Sequence, residues 1–405
     1  MSGPCVSRLP SIRHGNDAAA FDGCALKAYM EQITIALPSP AAGTHRSLSY
    51  LRFGQQERGL KAYIQAALHA DELPGMLVAH HLRLRLAELE RQGLLLGEVI
   101  LVPAANPIGL AHTLLGSSQG RFDLRTGQNF NRLFPNLSQA VWQLVRPQLG
   151  ADAQANQALI RAAIRTSLHD RQRDLDACDE LSAQRLALMR LAADADVVLD
   201  LHCDCESLLH LYTGTPLWQR VAPLAGLLGA SVALLETESG DDPFDEACSR
   251  IWWDIAALAG ADFPVPLACL AATIELRGFV DVDHATATRD AAAILDFLRL
   301  QGVLAGPLSQ AVPPACEPTP LAGCMPVAAP SAGLVVYLRE LGASVRAGEP
   351  LIDLIDPVSG SVQQLLAPVD GCYFARENRR YVAPGTRLSK VAGKQALRSG
   401  PLLSA

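Results

Sequence analysis

A histidine and a glutamate stand three residues apart where an apolar, strand-like run of the sequence ends. The run 63–68 leads into His69, and Glu72 follows just before Pro74, which opens a long amphipathic segment. Neutral imidazole nitrogens and carboxylate oxygens are ordinary zinc ligands, at roughly 2.0–2.2 Å from the ion. The same spacing also fits a hydrogen-bonded pair on the surface, so the metal interpretation depends on partners elsewhere in the chain.

A second apolar run supplies such a partner. The run 196–201 ends at His202, and the carboxyl ends of neighbouring parallel strands meet at one edge of a sheet. A set of His, Glu and His leaves one coordination position of zinc open for water, as catalytic zinc sites require. The sequence therefore predicts one Zn²⁺ per chain, bound by His69, Glu72 and His202, that polarises a carbonyl and activates a water molecule.

A third run carries a carboxylate that fits proton transfer. Hydrolysis of an amide needs a group that takes a proton from water and returns it to the leaving nitrogen. Glu275 stands near the carboxyl end of the strand-like run 271–278, nearly isolated among apolar residues. Because a buried carboxylate without a function is costly, we interpret Glu275 as the general base and acid. An ion pair with Arg277 or Arg289 is the alternative.

The stretch 120–135 has neither helical nor strand periodicity, and its aromatic residues and proline favour an ordered functional loop. Arg132 offers a planar fork to a substrate carboxylate, and the adjacent Asn131 can complete the grip. Arg125, and in second place Arg121, is predicted to stabilise the oxyanion that develops on the scissile carbonyl. A solvated loop arginine is the alternative for Arg125 and for Arg121, and for Arg121 we prefer it.

The elements that carry these residues alternate between strand-like runs and helical patterns. Such alternation predicts an α/β fold with a doubly wound mixed sheet, whose ligands gather at the carboxyl ends of the strands. The strand-like runs are 47–53, 61–68, 97–103, 196–202, 208–212, 231–235 and 271–278. The helical patterns are 73–92, 152–168, 179–193, 217–229 and 284–301.

Changes in composition divide the chain into four parts. We predict an N-terminal segment at 1–45 with a short helix at 18–33, a zinc-hydrolase catalytic domain at 46–310, a proline-rich linker at 311–330 and a β domain at 331–394. In the last part, the pattern formed by Gly333, Val345, Gly348 and Leu351 recurs, with similar spacing, at Gly371, Val382, Gly385 and Leu388. This near-repeat predicts a small all-β barrel-sandwich, similar to biotinyl and lipoyl barrels but without a carrier lysine in the turn 356–360.

Composition limits the classes of partner and compartment. Hydrophobic residues make up 49% and charged residues 19% of the 405 residues, which is typical of a globular protein. The formal net charge of −7 argues against nucleic acid or an anionic membrane as the main partner. We find neither a signal peptide pattern nor an apolar run long enough to span a membrane. The ten cysteines show no paired CxxC spacing, which favours reduced thiols in a cytoplasmic protein.

The ordered set of motifs resembles the succinylglutamate desuccinylase/aspartoacylase family, a branch of the zinc carboxypeptidase fold. The motifs that carry the resemblance are His69-x-x-Glu72, Asn131-Arg132, Asp200-Leu201-His202 and Ile274-Glu275-Leu276-Arg277, in the family's order. The resemblance implies that the two histidines and the first glutamate bind zinc and that Glu275 is the general base and acid. It also implies that Asn131 and Arg132 hold the substrate's α-carboxylate and that Arg125 polarises the carbonyl. The C-terminal β domain also matches this branch.

One position departs from the family's pattern. Relatives usually carry an aspartate two residues before the Asn-Arg pair, where it supports the first zinc histidine, whereas this chain has Asn129. An amide still accepts the imidazole N–H but adds no negative charge, so the basicity of the ligand should fall somewhat. Tyr381 and His210 are further candidates for the pocket, Tyr381 only from the family's architecture.

We therefore predict a zinc-dependent amidohydrolase that removes the acyl group from an N-acyl amino acid or a related N-acyl amine. One alternative is a zinc carboxypeptidase that removes a C-terminal residue from a peptide with the same metal and the same carboxylate grip. Another is a non-catalytic relative that binds a metabolite. The identities of the acyl group and the amino acid are not evident from the sequence, and a homo-oligomer is compatible with it.

Overall fold

The computed structural model describes residues 30–173 and 179–403. The predicted N-terminal segment up to residue 29 lies outside the described residues, and so does most of its predicted helix. The last residues of that helix prediction, 31–33, are strand instead, because they pair with an antiparallel neighbour at the edge of a large sheet.

The strands of the described residues are, in chain order, β1 (Glu31–Ala36), β2 (Ser47–Phe53), β3 (Lys61–Ala66), β4 (Glu98–Val102), β5 (Thr113–Leu114), β6 (Ser117–Ser118), β7 (Val197–Asp204), β8 (Glu206–Ser207), β9 (His210–Gly214), β10 (Val232–Glu236), β11 (Leu270–Gly278), β12 (Pro318–Pro320), β13 (Cys324–Ala328), β14 (Gly333–Tyr337), β15 (Ser344–Val345), β16 (Pro350–Ile355), β17 (Val362–Leu366), β18 (Gly371–Arg376), β19 (Tyr381–Val382) and β20 (Arg387–Gly393). The α-helices of the same residues are α1 (Pro74–Arg91), α2 (Pro107–Leu110), α3 (Ser138–Val145), α4 (Ala153–Arg173), α5 (Glu180–Ala192), α6 (Trp218–Leu228), α7 (Phe244–Ala259) and α8 (His284–Leu300).

A large mixed sheet forms the centre of the fold. Within the described residues its strand order is β1-β2-β4-β3-β7-β11-β9-β10-β12. Neighbours from β4 through β3 and β7 to β11 are parallel, as are β9, β10 and β12. The pairs β1–β2, β2–β4 and β9–β11 are antiparallel. The predicted mixed α/β sheet is therefore confirmed.

Helices cover both faces of this sheet because both faces are apolar. On one face α1, α6 and α8 bury side chains such as Leu82, Leu224 and Ile294. On the other face α3, α4, α5 and α7 bury side chains such as Ile164 and Trp252. Strands β4 and β7 lie between these two layers, which explains why nearly every residue in them is buried.

Residues 324–393 form two smaller antiparallel sheets around an apolar core of their own. One has the order β13-β20-β18-β15 and the other the order β17-β16-β14-β19. The near-repeat of the sequence is visible in the backbone. Gly348 and Gly385 precede the corresponding strands β16 and β20 with φ angles of 85° and 83°, a left-handed conformation that favours glycine.

The C-terminal sheets are joined to the large sheet by hydrogen bonds. Strand β8 pairs antiparallel with β18, and Glu206 in β8 forms ion pairs with Arg376 and Arg380 at 2.6 and 2.7 Å. In the proline-rich segment 311–330, β12 pairs with β10, so part of this segment adds an edge strand to the large sheet. Among the helices of the described residues, none is long and apolar enough to cross a membrane.

Candidate metal centre and its cavity

The candidate metal ligands lie at the carboxyl ends of neighbouring parallel strands. His69 and Glu72 follow β3, and His202 lies near the end of β7. Glu275 in β11 stands beside His202 in the register of the sheet. Ala67 adopts a φ of 58°, which turns the chain out of β3 just before the first ligand. Strand order alone thus brings these side chains to one edge of the sheet.

The segment 69–72 is fixed by close contact with a neighbouring loop. The backbone N–H of Ala70 donates to the carbonyl of Gly120 at 2.9 Å. A Cβ atom on Gly120 would lie only 2.0 Å from the backbone nitrogen of Asp71. Glycine at this position therefore allows the loop to support the ligand segment.

Three buried side chains converge at this edge. The Nδ1 atoms of His69 and His202 lie 2.9 and 2.7 Å from the two carboxylate oxygens of Glu72. The potential ligand atoms of all three residues lie within 4.8 Å of one another. The three predicted ligands thus lie close together, and their donor atoms are of the types that bind zinc.

The second nitrogen of each imidazole indicates which atom faces an ion. His69 Nε2 lies 2.8 Å from Asn129 Oδ1, which also accepts a backbone N–H. His202 Nε2 lies 2.9 Å from Asp200 Oδ2. Because an amide oxygen and a carboxylate oxygen face them, each Nε2 carries a proton, and each Nδ1 is the nitrogen that can bind an ion once it is deprotonated. With both Nδ1 atoms deprotonated, three lone pairs converge and repel one another unless a cation lies between them, so this donor set fits Zn²⁺.

Burial and neighbouring charges separate the pKa values of these groups. Burial and, to a smaller degree, Arg121 lower the pKa of His69 to about 4. Burial also lowers the pKa of His202, but Asp200 and Glu72 outweigh it and raise this pKa well above its usual value. Burial raises the pKa of Glu72, yet the two imidazoles hold it well below its usual value. In the metal-free chain, a proton on His202 therefore takes the place of a cation.

Glu275 is a buried carboxyl group at the same edge. Its Oε2 has no hydrogen-bond partner among the described residues. Burial and the negative charge of Glu72 raise its pKa to about 8. Arg277, one of the alternative ion-pair partners of Glu275, instead binds Asp290 at 2.8 Å. Glu275 thus has the environment expected of a group that exchanges protons near neutral pH.

The metal-ligand candidates and Glu275 open into one cavity of about 610 Å³. The large sheet and its loops supply one wall, and the C-terminal sheets supply the other. Lys390 of β20 lines the cavity opposite β7, where its Nζ forms an ion pair with Asp204. The cavity is therefore complete only when the C-terminal sheets are in place.

Arg121, rather than Arg125, lies beside the metal centre. Its Nη1 is 3.2 Å from Glu72 Oε1 and from His69 Nδ1. Arg125 is absent from the described residues that line the cavity, and its guanidinium lies 4.0 Å from Asp179. The structure thus places Arg125, the arginine predicted to stabilise the oxyanion, away from the candidate ligands. The physical reason is a tight turn, 123–127, that directs its side chain outward.

Asn131 and Arg132 line the cavity as predicted, but both already have partners. Asn131 Oδ1 accepts the backbone N–H of Phe244 at 2.9 Å. Arg132 donates from Nη1 to the carbonyl of Asn131 at 2.6 Å and from Nε to the carbonyl of Leu403 at 2.8 Å. The pair is therefore positioned by hydrogen bonds to the chain's own backbone.

The two other candidates, Tyr381 and His210, do not line the cavity in the described part of the chain. Tyr212 and Lys390 do line it. Tyr381 is 63% exposed, and His210 is buried with its Nδ1 2.9 Å from a backbone carbonyl. Tyr212 follows His210 at the two-residue period of a strand, so alternation along β9 could have identified it. Lys390 has no local signal, because its position depends on how the C-terminal sheets dock.

The fold and the site together define an α/β protein with a candidate metal centre at the carboxyl ends of a mixed sheet. Residues 58–173 match the model of the succinylglutamate desuccinylase/aspartoacylase catalytic domain. No match to the chain is found among curated proteins. Among solved structures, the chain is similar to a protein assigned to this family from Shewanella frigidimarina NCIMB 400. The identity is 27% over 90% of this chain and 97% of that one, with a TM-score of 0.76.

Two further solved structures extend the comparison. A protein assigned to the same family from Shewanella amazonensis SB2B is 28% identical over 89% of this chain and 98% of that one, with a TM-score of 0.73. The ectoine utilization protein EutE (DoeB) from Ruegeria pomeroyi is 16% identical over 90% of this chain and 95% of that one, with a TM-score of 0.60, and shares the fold. These findings confirm the predicted resemblance to the succinylglutamate desuccinylase/aspartoacylase family, whose members are deacylases.

Proposed function

We propose that this chain is a zinc-dependent deacylase that hydrolyses the amide bond of an N-acyl amino acid or a related N-acyl amine. One observation carries the proposal. The Nδ1 atoms of His69 and His202 both face the carboxylate of Glu72, in a cavity that Glu275 also lines. The matching family of deacylases supports the class of reaction.

The roles of the chain's residues follow from their positions. Bound by the His-Glu-His set, a zinc ion would polarise the scissile carbonyl and lower the pKa of a water molecule. Glu275 takes a proton from the attacking water and returns it to the leaving nitrogen. Its pKa of about 8 in the metal-free chain suits both transfers near neutral pH. Glu275 is therefore the proposed general base and acid.

Two arginines orient the substrate in this proposal. We assign to Arg121 the role predicted for Arg125, because the Arg121 guanidinium lies beside the ligand atoms, where negative charge develops on the carbonyl oxygen. Arg132, with Asn131, orients the α-carboxylate of the substrate. The proposed partner is thus a small N-acyl amino acid.

We also propose that residues 331–394 form a separate β barrel-sandwich domain, joined by the segment 311–330 to a catalytic domain at 46–310. This domain supplies the far wall of the cavity, including Arg376, Arg387 and Lys390. A wall on that side leaves room for a short substrate and supports a deacylase rather than an enzyme that trims long peptides.

The test combines metal analysis with a substrate panel. Purified protein should contain about one zinc per chain and should hydrolyse at least one of the acetyl, formyl, succinyl or longer acyl amino acids. Glu275→Gln should keep the metal and lose activity by a factor on the order of 10²–10⁴. Glu340→Gln, an exposed carboxylate of the C-terminal sheets, is the matched control and should behave like the unchanged protein. Substantial activity in Glu275→Gln would contradict its assignment.

The same measurements separate the alternatives. Faster hydrolysis of peptides than of acyl amino acids would favour a carboxypeptidase. A protein without zinc that is indifferent to chelators would favour a non-catalytic binding protein.

A further inference from the structure

Residues 401–403, here called the strap, form part of the cavity wall. The backbone N–H groups of Leu402 and Leu403 donate to the carbonyl of Ser239 at 2.8 and 3.2 Å. Arg398 donates from Nη2 to the carbonyl of Leu402 at 2.8 Å. The side chain of Leu402 is only 4% exposed and packs in an apolar cluster with Leu234. A few backbone hydrogen bonds and one buried leucine thus hold the strap in place.

The strap also occupies a donor of Arg132. A carboxylate takes two parallel N–H donors of a guanidinium, either Nε with Nη2 or the two Nη atoms. In Arg132, Nε donates to the carbonyl of Leu403, and Nη1 donates to the carbonyl of Asn131. Nε has a single N–H, so the Leu403 carbonyl occupies the Nε side of this guanidinium, whereas Nη1 has a second N–H besides the one that binds Asn131. A carboxylate can accept two hydrogen bonds on the Nε side of Arg132 only if the Leu403 carbonyl moves away from Nε.

We propose that the strap is a displaceable, specificity-determining wall, whose Leu403 carbonyl the substrate's α-carboxylate replaces on Arg132. The exchange favours the substrate because a carboxylate carries the charge opposite to the guanidinium and accepts two parallel N–H donors, whereas the Leu403 carbonyl accepts one. A ligand without the carboxylate cannot make this exchange and binds with the strap in place. The inference rests on the proposed role of Arg132 in binding the substrate.

The first test measures displacement without requiring turnover. N-acetyl-L-alanine and N-acetyl-L-alanine amide differ only in the carboxylate, and the amino acid product of hydrolysis still carries that carboxylate. Hydrogen exchange is followed at the backbone N–H groups of Leu402 and Leu403 in the zinc-loaded full chain. N-acetyl-L-alanine should accelerate this exchange, whereas its amide should leave it unchanged. Equal exchange with both compounds, or slower exchange with the carboxylate, would overturn the proposal.

The second test releases the strap by substitution. Leu402→Asn places a polar group in the apolar cluster without adding charge near Arg132. Leu397→Asn is the matched control, because Leu397 is 56% exposed and lies only a few residues away. For the best acyl amino acid of the panel, Leu402→Asn should lower KM on the order of tenfold. The KM for the corresponding α-amide should not change, and the control should match the unchanged protein for both compounds.

The outcomes of these tests remain separable from those of the deacylase proposal. Equal changes in the KM of both compounds, or no change in either, would show that the strap is a passive wall. A protein that hydrolyses no acyl amino acid would refute the proposed function, while hydrogen exchange would still report the competition for Arg132.

Discussion

At the scale of single residues, Glu72 connects all the groups of the metal centre. Its Oε1 faces His69 and Arg121, and its Oε2 faces His202 and the backbone N–H of Cys203. The two histidines differ in their second contact, which is an uncharged amide for His69 and a carboxylate for His202. The Asp200 carboxylate raises the pKa of His202, whereas burial and Arg121 lower the pKa of His69, so His69 stays neutral in the metal-free chain while His202 holds a proton.

Zinc binding is therefore expected to release about one proton at pH 6. The pKa of His202 is well above its usual value, so this residue is protonated there, and its Nδ1 must lose the proton to bind an ion. His69, with a pKa of about 4, is already neutral and releases none. The apparent affinity for zinc should accordingly fall about tenfold for each unit by which the pH is lowered. Calorimetry in two buffers of different ionisation enthalpy counts the released protons, and a count of zero would contradict the assigned protonation.

At the scale of elements, the loop that contains Gly120 supports the ligand segment after β3. The contact between Gly120 and Ala70 is backbone to backbone, so it leaves no space for a side chain. This loop also carries Arg121 to the metal centre. The close approach of two irregular segments thus positions both a pair of ligands and the arginine beside them.

Gly120→Ala is expected to damage the metal site through the backbone. The added Cβ would lie 2.0 Å from the nitrogen of Asp71, so the segment that carries His69 and Glu72 must shift. We expect a loss of stability of roughly 1–3 kcal/mol, as in overpacked sites, and at least a tenfold loss of zinc affinity. Chelator competition and urea unfolding measure the two effects. Gly150→Ala, where a Cβ would meet nothing within 4 Å, is the control, and equal behaviour of both variants would contradict this role of Gly120.

The elements also show why the sequence predicted some features and missed others. His202 and Glu275 could be found because parallel neighbouring strands bring their carboxyl ends together whatever the details of packing. Arg121 and Arg125 could not be distinguished, because a loop without periodicity gives no indication of side-chain direction. Strand β1 was missed, because residues 31–33 are strand only through pairing with β2. Local patterns thus identified the candidate ligands but not the groups placed by long-range contacts.

At the scale of the whole molecule, the C-terminal sheets complete the cavity of the large sheet. Their attachment combines the β8–β18 pairing, the ion pairs of Glu206 and the pair between Lys390 and Asp204. Lys390 is important because it contributes both to this attachment and to the positive charge that faces Glu275.

Lys390→Met is expected to weaken the attachment of the C-terminal sheets. The variant leaves the mostly buried carboxylate of Asp204 without its partner, and we expect a loss of roughly 1–3 kcal/mol in the free energy of unfolding. Lys394→Met removes a lysine just beyond β20 whose ion pair with Glu317 is largely exposed, so it should not change stability measurably. Urea unfolding of the two variants provides the comparison. Equal stability would show that the Lys390 pair does not hold the sheets together.

The division of the cavity between the two parts of the chain has a consequence for biosynthesis. The residues from His69 to Glu275 emerge from the ribosome before β20 and the strap, which close the opposite side. A nascent chain therefore exposes its ligands on a side that the finished protein covers. We therefore expect a metal ion to reach this candidate site by different routes during translation and in the completed protein.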